Sequence, residues 1–152
     1  MRKKPKVLFL STGNSTRSEI AEGFLRSLAS DGFDTASVGT ASETPDSLAV
    51  QVMSEVGIDL ARQKSESVRE SLKEHFAFVI SIFDARRERA PIFPSVPKIL
   101  RWNLADPSAA QGPETERLSA YRRFRDEIKA KVQAFLAGEG RSAWEPRTSR
   151  VA

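Results

Sequence analysis

The sequence predicts an α/β domain built on a parallel sheet, and three observations carry that prediction. Short apolar, strand-forming runs alternate with helical patterns along most of the chain. Phe76 to Phe83 (FAFVISIF) is nearly continuous in apolar residues, as expected of a strand covered on both faces. The first strand turns through small and polar residues straight into a helix, and in such sheets ligands gather at the carboxyl ends of the strands. At 152 residues and 16.8 kDa the chain suits one domain with a proper core.

Taken in order, Met1 to Lys6 is a basic lead-in, too poor in following apolar residues to be a signal peptide. Val7 to Leu10 is the first strand. The next pattern places Ile20, Phe24, Leu25 and Leu28 at three- and four-residue spacing, which is helical. Phe33 to Thr40 (FDTASVGT), closed by Gly39, reads as a second strand. Pro45-Asp46-Ser47 opens a helix with Leu48, Val52, Met53 and Val56 on its apolar face and Gly57 as its cap. Ser65 to Glu74 reads as a short polar helix, Phe76 to Phe83 as the third strand and Lys98 to Leu104 as the fourth. Leu118, Tyr121, Phe124, Ile128, Val132 and Phe135 mark a long helix over 118–136. The domain is expected over 1–137, with 138–152 a flexible tail that Trp144 either docks or leaves free.

The chemistry concentrates between the first strand and the first helix, in Ser11-Thr12-Gly13-Asn14-Ser15-Thr16-Arg17-Ser18. A turn of this kind aims backbone N–H groups inward, and the helix N-terminus adds unpaired donors and partial positive charge. Gly13 and Asn14 are the residue types that most readily adopt left-handed conformations. Arg17 adds a fixed cation whose planar fork matches two oxygens of one anion. The stretch reads as a cradle for a tetrahedral oxyanion, against the plain alternative of an ordinary strand-to-helix turn. It is not an ATP-type phosphate loop, since no Gly-Lys-Ser/Thr follows the glycine.

Composition narrows the function further. The chain is 39% hydrophobic and 29% charged, and no apolar run approaches the roughly 18–20 residues that span a bilayer. No membrane association is expected, and the cytoplasm is the default location. A net charge of +4 suits a small anionic substrate, while the absence of a dense basic stripe with aromatics argues against nucleic acid. With no cysteine there is no disulfide, thiolate metal site or thiol nucleophile. The single histidine, His75, sits in a charged stretch and reads as a surface residue. No metal and no cofactor are expected.

The loop resembles that of the low-molecular-weight protein tyrosine phosphatases and the related arsenate reductases, which carry Cys, five residues, then Arg-Ser after the first strand. Ser11, five residues, Arg17 and Ser18 match that motif except that Ser11 stands in the position of the nucleophilic cysteine. Further landmarks are similar: Val38-Gly39-Thr40, Ala49 to Met53, Gly57-Ile58-Asp59-Leu60 with Gln63-Lys64-Ser65, and Trp102 through Asp106-Pro107 to Gly112. The fold this resemblance implies is a single flavodoxin-like domain, a four-stranded parallel sheet in the order 2-1-3-4 with helices on both faces.

The resemblance also implies roles. Ser11, Arg17 and Asp106 fall at catalytic positions and Ser11 to Ser18 at substrate-binding ones. Asp106 would be the general acid that protonates a leaving oxygen, a contribution of about 100- to 10,000-fold in well-positioned cases. Asp-Pro is also a common turn and helix-capping pair, which is the plainer reading of Asp106-Pro107. The string Trp102 to Gly112 looks more like the arsenate reductase branch. Yet that branch relays oxidising equivalents through two further cysteines in the region of Ser81 to Pro94, and here Phe83 occupies the first relay position.

Ser11 lacks the acidity of a thiol, and no adjacent histidine or lysine is evident to activate it. Cys→Ser is the usual disarming substitution, so natural divergence and deliberate replacement would leave the same residue. Three readings follow. The first is a phosphomonoesterase scaffold that binds phosphate, arsenate or sulfate and is disarmed or weakly active at Ser11. The second is a non-catalytic binder of phosphate, a small phosphomonoester or a phosphorylated protein. The third is an arsenate reductase-like protein without its redox cysteines.

Overall fold

The structure, a computed structural model, describes residues 4–39, 46–60, 75–90 and 99–141. Among them four strands, β1 (Lys6–Ser11), β2 (Asp34–Gly39), β3 (Phe78–Phe83) and β4 (Ile99–Asn103), form one sheet in the order β2-β1-β3-β4. Every pairing is parallel, so the sheet type and strand order are those expected. Three helices accompany it: α1 (Thr16–Ala29), α2 (Ser47–Ser54) and α3 (Glu114–Ala137). A 3-10 turn, Pro107–Ala109, follows β4.

The alternation of side chains along β1 explains why both faces of the sheet are closed. Val7 and Phe9 join a core with α1, α2 and α3, while Leu8 and Leu10 join a second cluster with Val38 and Val79. The described helices all feed the first of these cores. The polar helix expected over 65–74 lies outside the described residues, as does Trp144. In the main core Phe135 meets Phe33 and Phe78 at ring separations of 5.9 and 5.0 Å, contacts worth about 0.5–1.5 kcal/mol each beyond burial.

Three local expectations shift. Leu28 and Val56 are exposed rather than buried. Val56 lies beyond the last helical residue of α2, in a turn where Gly57 at φ 80° lets Ile58 N–H reach Met53 O and Gly57 N–H reach Ser54 O. At the end of α1 the inward position belongs to Ala29, not Leu28. Helix α3 starts a turn ahead of its apolar pattern, because Pro113 sits at the cap and Glu114 and Glu116 complement the helix dipole. All six apolar positions assigned to α3 are buried.

Candidate functional site

The loop 12–15 leaves β1 at Ser11, whose parallel partner on β2 is Gly39. A Cβ on Gly39 would stand 2.6 Å from Asn14 C and Ser15 N and 2.7 Å from Gly13 O, so glycine is required for the loop to lie on the strand end. Gly13 takes the left-handed conformation at φ 88°. Asn14 does not; its side chain instead accepts from Thr16 N–H at 3.1 Å, closing the turn locally. Thr12 N–H donates to Ile82 O at 3.3 Å. The Thr12 amide of the loop and the Thr16 amide that opens α1 are therefore engaged internally, while the first-turn amides of α1 have no helical acceptors.

Ser11 and Ser18 are both fully buried and face each other, with 3.0 Å between their oxygens. Ser18 Oγ has carbonyl acceptors at 2.8 Å (Ser15) and 2.9 Å (Val38). Its one proton serves a carbonyl, so its lone pairs face Ser11 and Ser11 becomes the donor. Asn14 O at 2.7 Å offers Ser11 a second acceptor. A hydroxyl held this way keeps its proton, since neither partner is a base.

Arg17 is almost wholly buried, and its fork is engaged by a residue the sequence did not single out. Nη1 and Nη2 donate to the two carboxylate oxygens of Glu88, each at 2.8 Å. Nη2 also donates to Thr12 O. Glu88 Oε1 accepts a third bond, from Asp84 N–H at 2.8 Å. Asp106 Oδ2 lies 3.7 Å from Nη2. Burial alone would lower the Arg17 pKa, but the hydrogen bonds of Glu88 and the charges of Asp106, Glu88 and Asp84 outweigh it and hold the guanidinium firmly charged.

Asp106 serves two purposes at once. Its Oδ1 accepts from Ser108 N–H at 3.0 Å and from the Ser108 hydroxyl at 2.8 Å, capping the 3-10 turn, while Oδ2 points to Arg17. Capping of the turn and the approach to Arg17 thus use different oxygens of Asp106. Its backbone N–H donates to the buried Asp84 Oδ2 at 2.9 Å. That bond leads the influences that hold the Asp84 carboxyl below the usual range, against the opposing effect of burial. Asp46, whose N–H donates to Thr16 Oγ1 at 3.4 Å, caps α2 by accepting from Leu48 N–H at 2.8 Å and also accepts from Tyr121 OH at 3.0 Å.

Ser11, the loop, Arg17, Ser18 and Asp106 are therefore brought together, and Asp84 and Glu88 join them. The sequence profile of the family described as low molecular weight phosphotyrosine protein phosphatase matches residues 6–143. The chain belongs to that family. An arsenate reductase of Shouchella clausii is 36% identical over 132 residues, 87% of this chain and 95% of the relative. The Bacillus subtilis arsenate reductase is 33% identical over 129 residues, covering 85% and 93%. A solved arsenate reductase in the phosphate binding state superposes with TM-score 0.72 at 28% identity, over 88% of this chain and 97% of the other. The low molecular weight protein tyrosine phosphatase of T. tengcongensis shares the fold, with TM-score 0.69, 21% identity and coverage of 88% and 99%.

In this member of the low-molecular-weight phosphatase family, position 11, the last residue of β1, is serine, and Phe83 is the last residue of β3. Phe83 is partly buried and its carbonyl accepts from Leu104 N–H at 2.8 Å, so the position supports the β4 connection. Neither Glu88 nor Asp84 could be told from the charged run Asp84 to Arg89 on sequence alone. Their partners are distant in the chain: Arg17 for Glu88, Asp106 for Asp84.

Proposed function

We propose that this protein is a phosphatase-type oxyanion-binding scaffold whose loop, Ser11 to Ser18, takes a tetrahedral oxyanion such as phosphate, arsenate or sulfate. The observation that carries the reading is Glu88: its carboxylate stands in for two oxygens of such an anion on the Arg17 fork. In this reading Arg17 holds and stabilises the anion, Ser18 orients the residue at position 11, and Asp106 is the proton donor to a leaving oxygen. Ser11 leaves the scaffold disarmed or weakly active as a phosphomonoesterase. The similar arsenate reductase solved in the phosphate binding state supports the ligand class. The reading takes the protein as cytoplasmic. Titrating phosphate into the protein and into Arg17→Ala tests it: binding should be lost in the variant, and equal affinity in both would refute it.

The donor role of the Ser11 hydroxyl favours a second reading, a binder of phosphate or of phosphorylated proteins without turnover. Arsenate reduction, the activity named for the relatives, is not expected here because the chain contains no cysteine. Incubation with arsenate, thioredoxin and thioredoxin reductase should yield no arsenite.

A further inference from the structure

From the contacts of Arg17 we infer that Glu88 is an intramolecular occupant of the oxyanion site, so that an oxyanion enters by evicting this carboxylate from the arginine fork. The inference rests on the reading of loop 11–18 as the oxyanion site and concerns how that site is controlled. Glu88 follows β3 in a turn closed by Glu88 N–H to Asp84 O at 2.8 Å. Its side chain, 17% exposed, reaches over Gly13, where a Cβ would lie 3.8 Å from Arg17 Nη2 and 4.0 Å from Glu88 Oε2. Glu88 takes the Nη1–Nη2 edge of the Arg17 guanidinium, and Thr12 O accepts from Nη2 as well. A ligand oxygen pair can bind that Nη1–Nη2 edge only after the carboxylate leaves.

The charge state agrees with a competing anion. Burial pushes the Glu88 carboxyl up, but the Arg17 hydrogen bonds and the Asp84 N–H outweigh it, so the group stays below the ordinary carboxylate value and is ionised at neutral pH. Eviction also has a defined consequence. Asp84 N–H loses its acceptor at Glu88, while the carboxylate of the same residue holds Asp106 N–H. Arrival of the anion is thereby coupled to the loop bearing Asp106 through Arg17, Glu88 and Asp84 in sequence. A plug engaged about 90–99% of the time weakens apparent affinity about 10- to 100-fold.

Phosphate titration of the wild type, Glu88→Gln, Glu88→Ala and Arg17→Ala, followed by calorimetry and by amide NMR, tests the inference. Glutamine keeps an acceptor for Asp84 N–H while removing the charge; alanine removes both. Both Glu88 variants should bind phosphate about 10- to 100-fold more tightly than wild type, and Arg17→Ala should not bind. In the wild type the Asp84 and Asp106 amide signals should shift as phosphate saturates, a readout that does not depend on any variant folding. If folded Glu88 variants bind phosphate no tighter than wild type, or the Asp84 amide stays fixed at saturation, the plug is refuted and the loop reading survives. If neither wild type nor the Glu88 variants bind phosphate, the loop reading falls and the plug with it.

Discussion

Arg17 with Glu88, and Arg122 and Arg125 with Glu55, are the same chemistry in two settings. On the outer face of α2 and α3, Arg122 donates to both oxygens of Glu55, the Nη2 bond at 2.7 Å, and Arg125 Nη1 adds another at 2.7 Å. Hydrogen bonding from Arg122 leads the effects that hold the Glu55 carboxyl down to about 2. By bond count this cluster rivals the one in the loop. The difference is water: the Arg122 and Glu55 side chains are 42% and 36% exposed, with Arg125 alone covered at 12%, whereas Arg17 is 4% and Glu88 17% exposed. Exposed pairs are screened and contribute little, while a largely buried pair that loses one member leaves the other with its desolvation uncompensated. Solvent exposure, more than geometry, separates the pair on the helix surface from the pair beside the loop.

The largest test of that contrast is catalytic. Ser11→Cys should create aryl phosphatase activity, and Asp106→Asn in that background should lower turnover by about 100- to 10,000-fold for a poor leaving group and less for a good one. Arg122→Ala in the same background should leave the rate unchanged. If Ser11→Cys folds and binds phosphate but hydrolyses no aryl phosphate, Asp106 is a turn residue and the pure binder reading wins.

Next comes stability. Arg17→Ala strands the Glu88 carboxylate and the Thr12 carbonyl, so urea unfolding should show a loss of about 2–3 kcal/mol. Arg122→Ala should not measurably move the midpoint, and similar shifts in the two variants would break the contrast.

A smaller effect appears with pH, and its sign differs between the partly buried Glu88 and the buried Glu19. Glu88 has a folded-state pKa below its ordinary 4.5, so its contribution is present above that value and is lost as pH falls through the folded one. Glu19, 1% exposed, is pushed above 4.5 mainly by burial, with Glu22 adding to the rise and Ser15 opposing it. The folded state therefore holds the Glu19 proton more tightly, and stability declines as pH rises from 4.5 through the folded value. Urea midpoints measured across that range should show the decline in wild type and lack it in Glu19→Gln. A decline of equal size in the variant would assign the effect elsewhere.

The smallest effect belongs to Glu55. Its pairs should be screened at about 1 M salt, where the Debye length is near 3 Å. Any stability difference between wild type and Glu55→Ala at low salt should then vanish, and a difference that persists at high salt would mean that the exposed cluster behaves like the buried one.

How much of this was legible follows from which interactions are local. The strands and helices were readable because period-2 and 3.6-residue patterns are properties of neighbouring residues; β3, read as Phe76 to Phe83, is observed as Phe78–Phe83. The proximity of Ser11, Arg17 and Ser18 was readable because they share one turn, whereas Asp106 was singled out through the family resemblance, its Asp-Pro pair alone pointing to a turn. Glu88 was not. One acid among Asp84, Arg86, Arg87 and Arg89 carries no sign of its partner until β1 and β3 lie side by side. The exposure of Leu28 was hidden for a similar reason, since spacing defines a stripe but not its width.

Gly39 has a consequence for how the chain finds its register. Parallel strands can slide against one another, and a slip of one residue carries every side chain to the opposite face. On β2 such a slip would place either Val38 or Thr40 opposite Ser11. Each brings a branched side chain to a spot where even a single carbon would stand 2.6 Å from the loop backbone. The curvature of the loop thus proofreads the sheet: only the alignment that sets a hydrogen atom beneath Asn14 and Ser15 lets β1 run on into α1.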